Sequence, residues 1–129
     1  MPVAANVSVV VVDDQLSIRG LVRAGLNSIG INQVREFGTA AEALASLKAQ
    51  PSHIVISDFN MPEMDGLEFL RALRGDQKFK STAFILLTGR ADKELVQRAV
   101  QFGANNYLVK PFTVATLKGK IEQVVGALT

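Results

Sequence analysis

No cysteine occurs in this chain of 129 residues. That excludes a disulfide framework and a thiolate metal site, closes the zinc-finger readings, and suits a reducing compartment. Long apolar runs are missing too. The opening MPVAANVSVVVV carries no charged n-region, and its apolar stretch stops at Asp13, too short for a membrane span and wrong for a signal peptide. The expectation is a cytoplasmic protein with no membrane insertion. Nor is charge of one sign concentrated anywhere: 14 basic and 12 acidic residues leave a formal charge of +2, with no run of five like charges. The basic residues fall in scattered pairs, among them Arg19 and Arg23, Arg71 and Arg74, and Lys78 and Lys80. One tyrosine and seven phenylalanines form no ladder with them, so no nucleic-acid partner is expected. With 48% hydrophobic and 20% charged residues the chain belongs to the globular class, and its length suffices for one domain with a real core.

What is present is a regular alternation. Apolar segments of strand length, residues 7–12, 33–37, 53–57, 84–88 and 107–109, alternate with five segments of helical period. Ile18, Leu21, Val22, Leu26 and Ile29 mark one face of the first helix, which Gly30 closes; Leu67, Leu70 and Leu73 mark the third, over 65–73. Leu95, Val96, Ala99 and Val100 mark the fourth, before Gly103, and Val114, Leu117, Ile121, Val124, Val125 and Leu128 the fifth. Thr39 and Glu42 have the spacing of a capping box at the start of the second. The more polar second strand suits a sheet edge. Five strand–helix units predict an α/β fold, a doubly wound parallel sheet of five strands with five helices, in which ligands bind beyond the carboxyl ends of the strands.

Every polar strand ending lies on that side. The first strand runs into Asp13 and Asp14, the third into Asp58, the fourth into Thr88 and the fifth into Lys110. Three carboxylates held together repel unless a cation sits among them. Oxygen donors without histidine or cysteine favour Mg²⁺, which commonly shares its shell with a phosphate. A lysine and a threonine hydroxyl complete a set suited to phosphoryl chemistry, with Asp58, alone on the central strand, as the candidate nucleophile.

The motifs VVDDQ, SDFNMPEMDG, LLTGR and YLVKPF, taken together, resemble those of a response-regulator receiver domain, most closely the stand-alone chemotaxis type, and the resemblance covers essentially the whole chain. It implies a flavodoxin-like strand order, 2-1-3-4-5, and a single receiver domain over 1–129 with no output domain, monomeric. By position, Asp58 resembles the phosphoacceptor. Asp14, Asp58 and the backbone carbonyl of Asn60 resemble the Mg²⁺ ligands, with Asp13 acting mainly through water. Thr88 and Lys110 resemble the phosphate-sensing pair, Tyr107 the switch aromatic, and Lys110–Pro111 a bond that is usually cis. The implied partners are a histidine kinase or histidine phosphotransfer protein as donor, and a protein target. The target would meet the face of the fourth helix, fifth strand and fifth helix, with Lys93, Val96, Gln97, Tyr107, Lys118 and Lys120.

Two positions depart from the chemotaxis pattern. Gly89 stands where alanine is commoner, and Arg90 replaces an acidic or amide side chain, where it either pairs with the phosphoryl group or stands solvated before the fourth helix. A Mg²⁺-dependent aspartyl phosphatase uses a similar set but needs a second acid two residues after its nucleophile, where this chain has Asn60. A receiver that acts only as a phosphate sink has the same acidic set. No G-x-G-x-x-G follows the first strand, which weighs against a nucleotide-binding module. His53, the only histidine, falls at the opposite end of the third strand, and Met61 and Met64 are expected to pack beneath the loop after Asp58.

Overall fold

The computed structural model describes residues 2–89 and 93–129. A 3-10 turn, Ala4–Asn6, leads into β1 (Ser8–Val12), α1 (Leu16–Ser28), β2 (Gln33–Phe37), α2 (Ala40–Ala49), β3 (Ile54–Asp58) and α3 (Gly66–Arg74). A second 3-10 turn, Gln77–Phe79, precedes β4 (Ala83–Thr88), α4 (Lys93–Gln101), β5 (Asn106–Val109) and α5 (Val114–Val125). The strands form one parallel sheet in the order β2-β1-β3-β4-β5, the expected flavodoxin-like arrangement, with the polar β2 at an edge.

Both faces of the central strands are apolar because both are covered. Successive side chains of a strand point to opposite faces. Val9, Val11, Ile54, Ile56, Ile85 and Leu87 accordingly pack with Val22 and Leu26 of α1 and Leu117 and Ile121 of α5. Val10, Val12, Val55, Phe84 and Leu86 pack with residues of α2, α3 and α4. Phe69 and Phe84 meet edge to face there, with centroids 5.9 Å apart.

Several expected boundaries and faces shift. Val7 belongs to the N-terminal turn, donating its N–H to the Ala4 carbonyl at 3.1 Å, so β1 starts one residue later. His53 precedes β3, and Asp58 is its last residue. Leu21, Val100 and Val114, expected on buried faces, are 60%, 59% and 43% exposed. A helix turns about 100° per residue, and Leu21 and Val100 stand that far round from the buried Val22 and Ala99, on the solvent side. Helix α5 stops at Val125, where Gly126 takes a φ of 93°; Leu128 lies beyond the helix but still packs on the core. At α2, Thr39 accepts from the Glu42 N–H at 3.2 Å but turns its own hydroxyl to the Glu42 carboxylate, so only half of the capping box forms. The full box closes at α3: Asp65 accepts from the Glu68 N–H at 2.9 Å, and Glu68 accepts from the Asp65 N–H at 3.1 Å.

That box fixes the loop between β3 and α3. Gly66, the first residue of α3, donates its N–H to the Phe59 carbonyl at 2.8 Å, which presses the helix start against the end of β3. A Cβ on Gly66 would stand 2.5 Å from the Asp58 carbonyl oxygen and 2.9 Å from the Phe59 Cα, both backbone atoms. Gly66→Ala should therefore lower stability by about 2 kcal/mol, the ordinary cost of overpacking a tight site, and displace Asp58 with it. Chemical denaturation, together with the amide shifts of residues 57–60, checks both effects.

Candidate functional site at the carboxyl edge of the sheet

Strand register brings the predicted residues together. Val12 pairs with Ser57 across β1 and β3, so one step further along the register Asp13 faces Asp58. Thr88 pairs with Val109, and Lys110 follows. The backbone continues these pairings past the strand ends: Asp13 N–H donates to the Phe37 carbonyl at 3.1 Å, Phe59 N–H to Leu87 at 3.2 Å, and Lys110 N–H to Thr88 at 2.7 Å. Each polar side chain thus stands on an extended ladder.

Asp13, Asp58 and Thr88 are buried, whereas Asp14 is exposed. Each of the three aspartates offers a carboxylate oxygen within 4.8 Å of the others. Lys110 Nζ lies 3.2 Å from Asp58 Oδ1 and 3.4 Å from Asp13 Oδ2. Two backbone donors orient these carboxylates: Phe59 N–H reaches Asp58 Oδ1 at 2.9 Å, and Gln15 N–H reaches Asp13 Oδ1 at 2.9 Å. Among the described residues, one ammonium against three carboxylates leaves net negative charge in a largely desolvated corner. Burial, and after it the charge of Asp13, push the Asp58 carboxyl above the usual aspartate range, while Lys110 and the Phe59 N–H pull the other way. An all-oxygen donor set with surplus negative charge fits a hard divalent cation such as Mg²⁺.

Asn60 is exposed and lines, with Phe59, Thr88, Gly89 and Leu95, an open cleft of about 540 Å³. Among the described residues, a Cβ on Gly89 would meet nothing within 4 Å, so none of them requires glycine there. Arg90 lies outside the described residues. Lys110–Pro111 is cis. Tyr107 is half-buried, packs on the α3 side of the core, and carries Lys120 Nζ 4.3 Å above its ring. Lys93 and Gln97 are exposed and Val96 half-buried on α4. Lys118 is exposed too, but two residues from Lys120 on a helix means about 200° around α5, so these lysines do not share a face. His53 sits at the far end of the sheet, where its Nδ1 accepts from the Ser8 N–H at 3.0 Å. Met61 and Met64 are partly buried and pack against the core.

A sequence reading misses Arg19. It belongs to the first turns of α1, yet its Nη1 donates to the Asp13 carbonyl at 2.6 Å. Its ionic partner Glu36 comes from β2, 17 positions away, and no local pattern joins the two. Asp65 and Glu68 carried the same spacing signal as Thr39 and Glu42, which would have revealed the stronger box.

A doubly wound sheet with this acidic corner and its lysine defines a class, and the chain belongs to the response regulator receiver domain family, matched over residues 9–122. It is thus a signalling module of two-component systems, similar to chemotaxis response regulators. A probable chemotaxis protein CheY of Rhizobium etli is 47% identical over 99% of both chains, and chemotaxis protein CheY-3 of Vibrio cholerae is 36% identical over 92% of both. Among solved structures, the chemotaxis response regulator CheY4 of Vibrio cholerae superposes with a TM-score of 0.85 at 36% identity, covering 92% of this chain and 98% of that one. The receiver domain of a sensor histidine kinase from Pseudomonas aeruginosa, solved with magnesium in its active-site cleft, gives 0.83 at 26% identity, covering 93% and 98%.

The raised Asp58 value has a thermodynamic sign. The folded protein holds a proton on Asp58 more tightly than the unfolded chain does. The associated stability is present in acid and is lost as pH rises through the raised value, so at neutral pH the ionised carboxylate weighs against the fold. Asp58→Asn should raise the Tm of the metal-free protein at pH 7. The gain should shrink as pH is lowered, which scanning calorimetry at a series of pH values measures.

Proposed function

We propose that this chain is a phosphoryl-accepting switch in which Asp58 is the acceptor and a histidine kinase or histidine phosphotransfer protein is the donor. The observation that carries the reading is the convergence of Asp13, Asp58 and Lys110 in register at one sheet edge, with Lys110 within 3.4 Å of both carboxylates. Similarity to chemotaxis regulators supports a target within a motility pathway.

Asp14, Asp58 and the Asn60 carbonyl would hold Mg²⁺, with Asp13 acting through water, and the ion would supply positive charge for the phosphoryl oxygens. The magnesium in the cleft of the Pseudomonas aeruginosa receiver supports that assignment. An Asp58 carboxylate oxygen attacks phosphorus; the P–N bond of the donor phosphohistidine breaks, and its electron pair returns to the imidazole, which takes a proton from solvent. Lys110 offsets charge on a phosphoryl oxygen and the Thr88 hydroxyl donates to another, since in phosphoryl transfer positioning and electrostatics supply most of the catalysis. Water later attacks the same phosphorus, releasing inorganic phosphate and restoring the carboxylate. Gly89 leaves that approach without a side chain.

Thr88 and Tyr107 lie on adjacent strands, β4 and β5, so a shift of Thr88 toward phosphate changes the packing available to the tyrosine ring. The output is a change in affinity at the face of Lys93, Val96, Gln97, Tyr107 and Lys120. It can be no larger than the target's preference for one state over the other. Lys118 joins this surface only where a partner wraps around α5.

Incubation with a small acyl phosphate and Mg²⁺ should give one hydroxylamine-sensitive adduct, mapped to Asp58 by mass spectrometry. Amide shifts at α4 and Tyr107 should accompany it. An adduct that persists in Asp58→Asn contradicts the assignment.

A further inference from the structure

The structure assigns to Arg19 a positioning role for the divalent-cation site: it clamps the peptide plane that joins Asp13 to Asp14. This rests on the metal reading proposed above. The peptide before Asp13 is held by β2, through the bond from the Asp13 N–H to the Phe37 carbonyl at 3.1 Å. The peptide after it carries the Asp13 carbonyl, and that oxygen accepts from Arg19 Nη1 at 2.6 Å. With both planes fixed, the direction in which the chain presents the two aspartates is fixed.

The guanidinium reaches that oxygen from a built setting. Its Nε stands 3.5 Å from Glu36 Oε1, and the two side chains are 17% and 21% exposed. The same Nε is buried and makes no hydrogen bond among the described residues, so the fork is turned toward Asp13 at the expense of a better bond to Glu36. The guanidinium passes close beside the turn after β2, where a Cβ on Gly38 would stand 3.4 Å from Nη1, an ordinary contact.

Arg19 brings a positive charge close to a site meant for a cation, which by itself opposes metal binding. Glu36 offsets that charge and also pairs with Arg23. Arg23 is a built-in comparison: it shares Glu36, but its Nη2 donates to the Val34 carbonyl at 2.9 Å, in the sheet and not at the Asp13 turn. Groups that orient metal ligands from behind are typically worth about 10- to 100-fold in metal affinity.

Calorimetric titration of Mg²⁺ into the full chain, paired with thermal unfolding in its absence, tests the assignment. Arg19→Gln should weaken Mg²⁺ binding about tenfold. A role through charge alone predicts the opposite, tighter binding, because a repelling cation has been removed. Arg23→Gln should leave the Mg²⁺ affinity unchanged. If Arg19→Gln does not fold, Arg19→Lys carries the test: it keeps the charge, loses the planar fork, and should still bind Mg²⁺ more weakly. Wild-type affinity in the Arg19 variant, or an equal loss in Arg23→Gln, would overturn the positioning role and leave the metal reading intact. A wild-type chain that takes up no Mg²⁺ would overturn both.

Discussion

Mutual repulsion among three carboxylates at the end of a hydrophobic sheet is the constraint on which the rest of this structure turns. Asp13 and Asp58 are buried and Asp14 stands beside them, and among the described residues one ammonium, Lys110, offsets their charge. Folding alone would not select such a corner, because desolvated like charges cost stability unless they are compensated. The compensation provided is directional: backbone N–H groups of Gln15 and Phe59 fix one oxygen of each buried carboxylate, and Lys110 bridges them. What is left over is surplus negative charge on an all-oxygen donor set, the chemistry that suits a hard cation.

The architecture makes that arrangement possible. A parallel sheet brings the carboxyl ends of all five strands to one edge, and the β1–β3 and β4–β5 registers set Asp13 against Asp58 and Lys110 just past Thr88. Apolar packing on both faces holds those registers, since slipping any central strand by one residue would turn its side chains to the wrong layer. The helix starts then finish the site. Gly66 brings α3 against the backbone of Asp58, and the Asp65–Glu68 box locks the intervening loop.

Much of this was legible in the residue order. Strands ending in aspartate, threonine and lysine announced where the site would lie, because a doubly wound sheet leaves little choice about which end faces a ligand. The strand order itself came from the resemblance to receiver domains. Less legible were features that depend on angles around helices. Leu21 and Val100 look like core residues in a list of apolar positions, but each adjoins a residue that takes the buried direction. Lys118 and Lys120 look like a pair, yet only Lys120 lies over Tyr107. Least legible was the grip of Arg19 and Glu36 on the Asp13 turn, since it joins a helix to an edge strand through a backbone carbonyl, and carbonyls leave no mark in a sequence.

If the corner is poised for a cation, binding that cation must stabilise the fold. Thermal unfolding across a Mg²⁺ titration at constant ionic strength measures this directly. The Tm should climb with the logarithm of Mg²⁺ concentration once the dissociation constant is passed, by an amount equivalent to about 2.7 kcal/mol at a hundredfold excess over it. A Tm that stays flat through millimolar Mg²⁺, or that rises equally in a chain whose Asp13 and Asp58 are both changed to asparagine, would contradict the account.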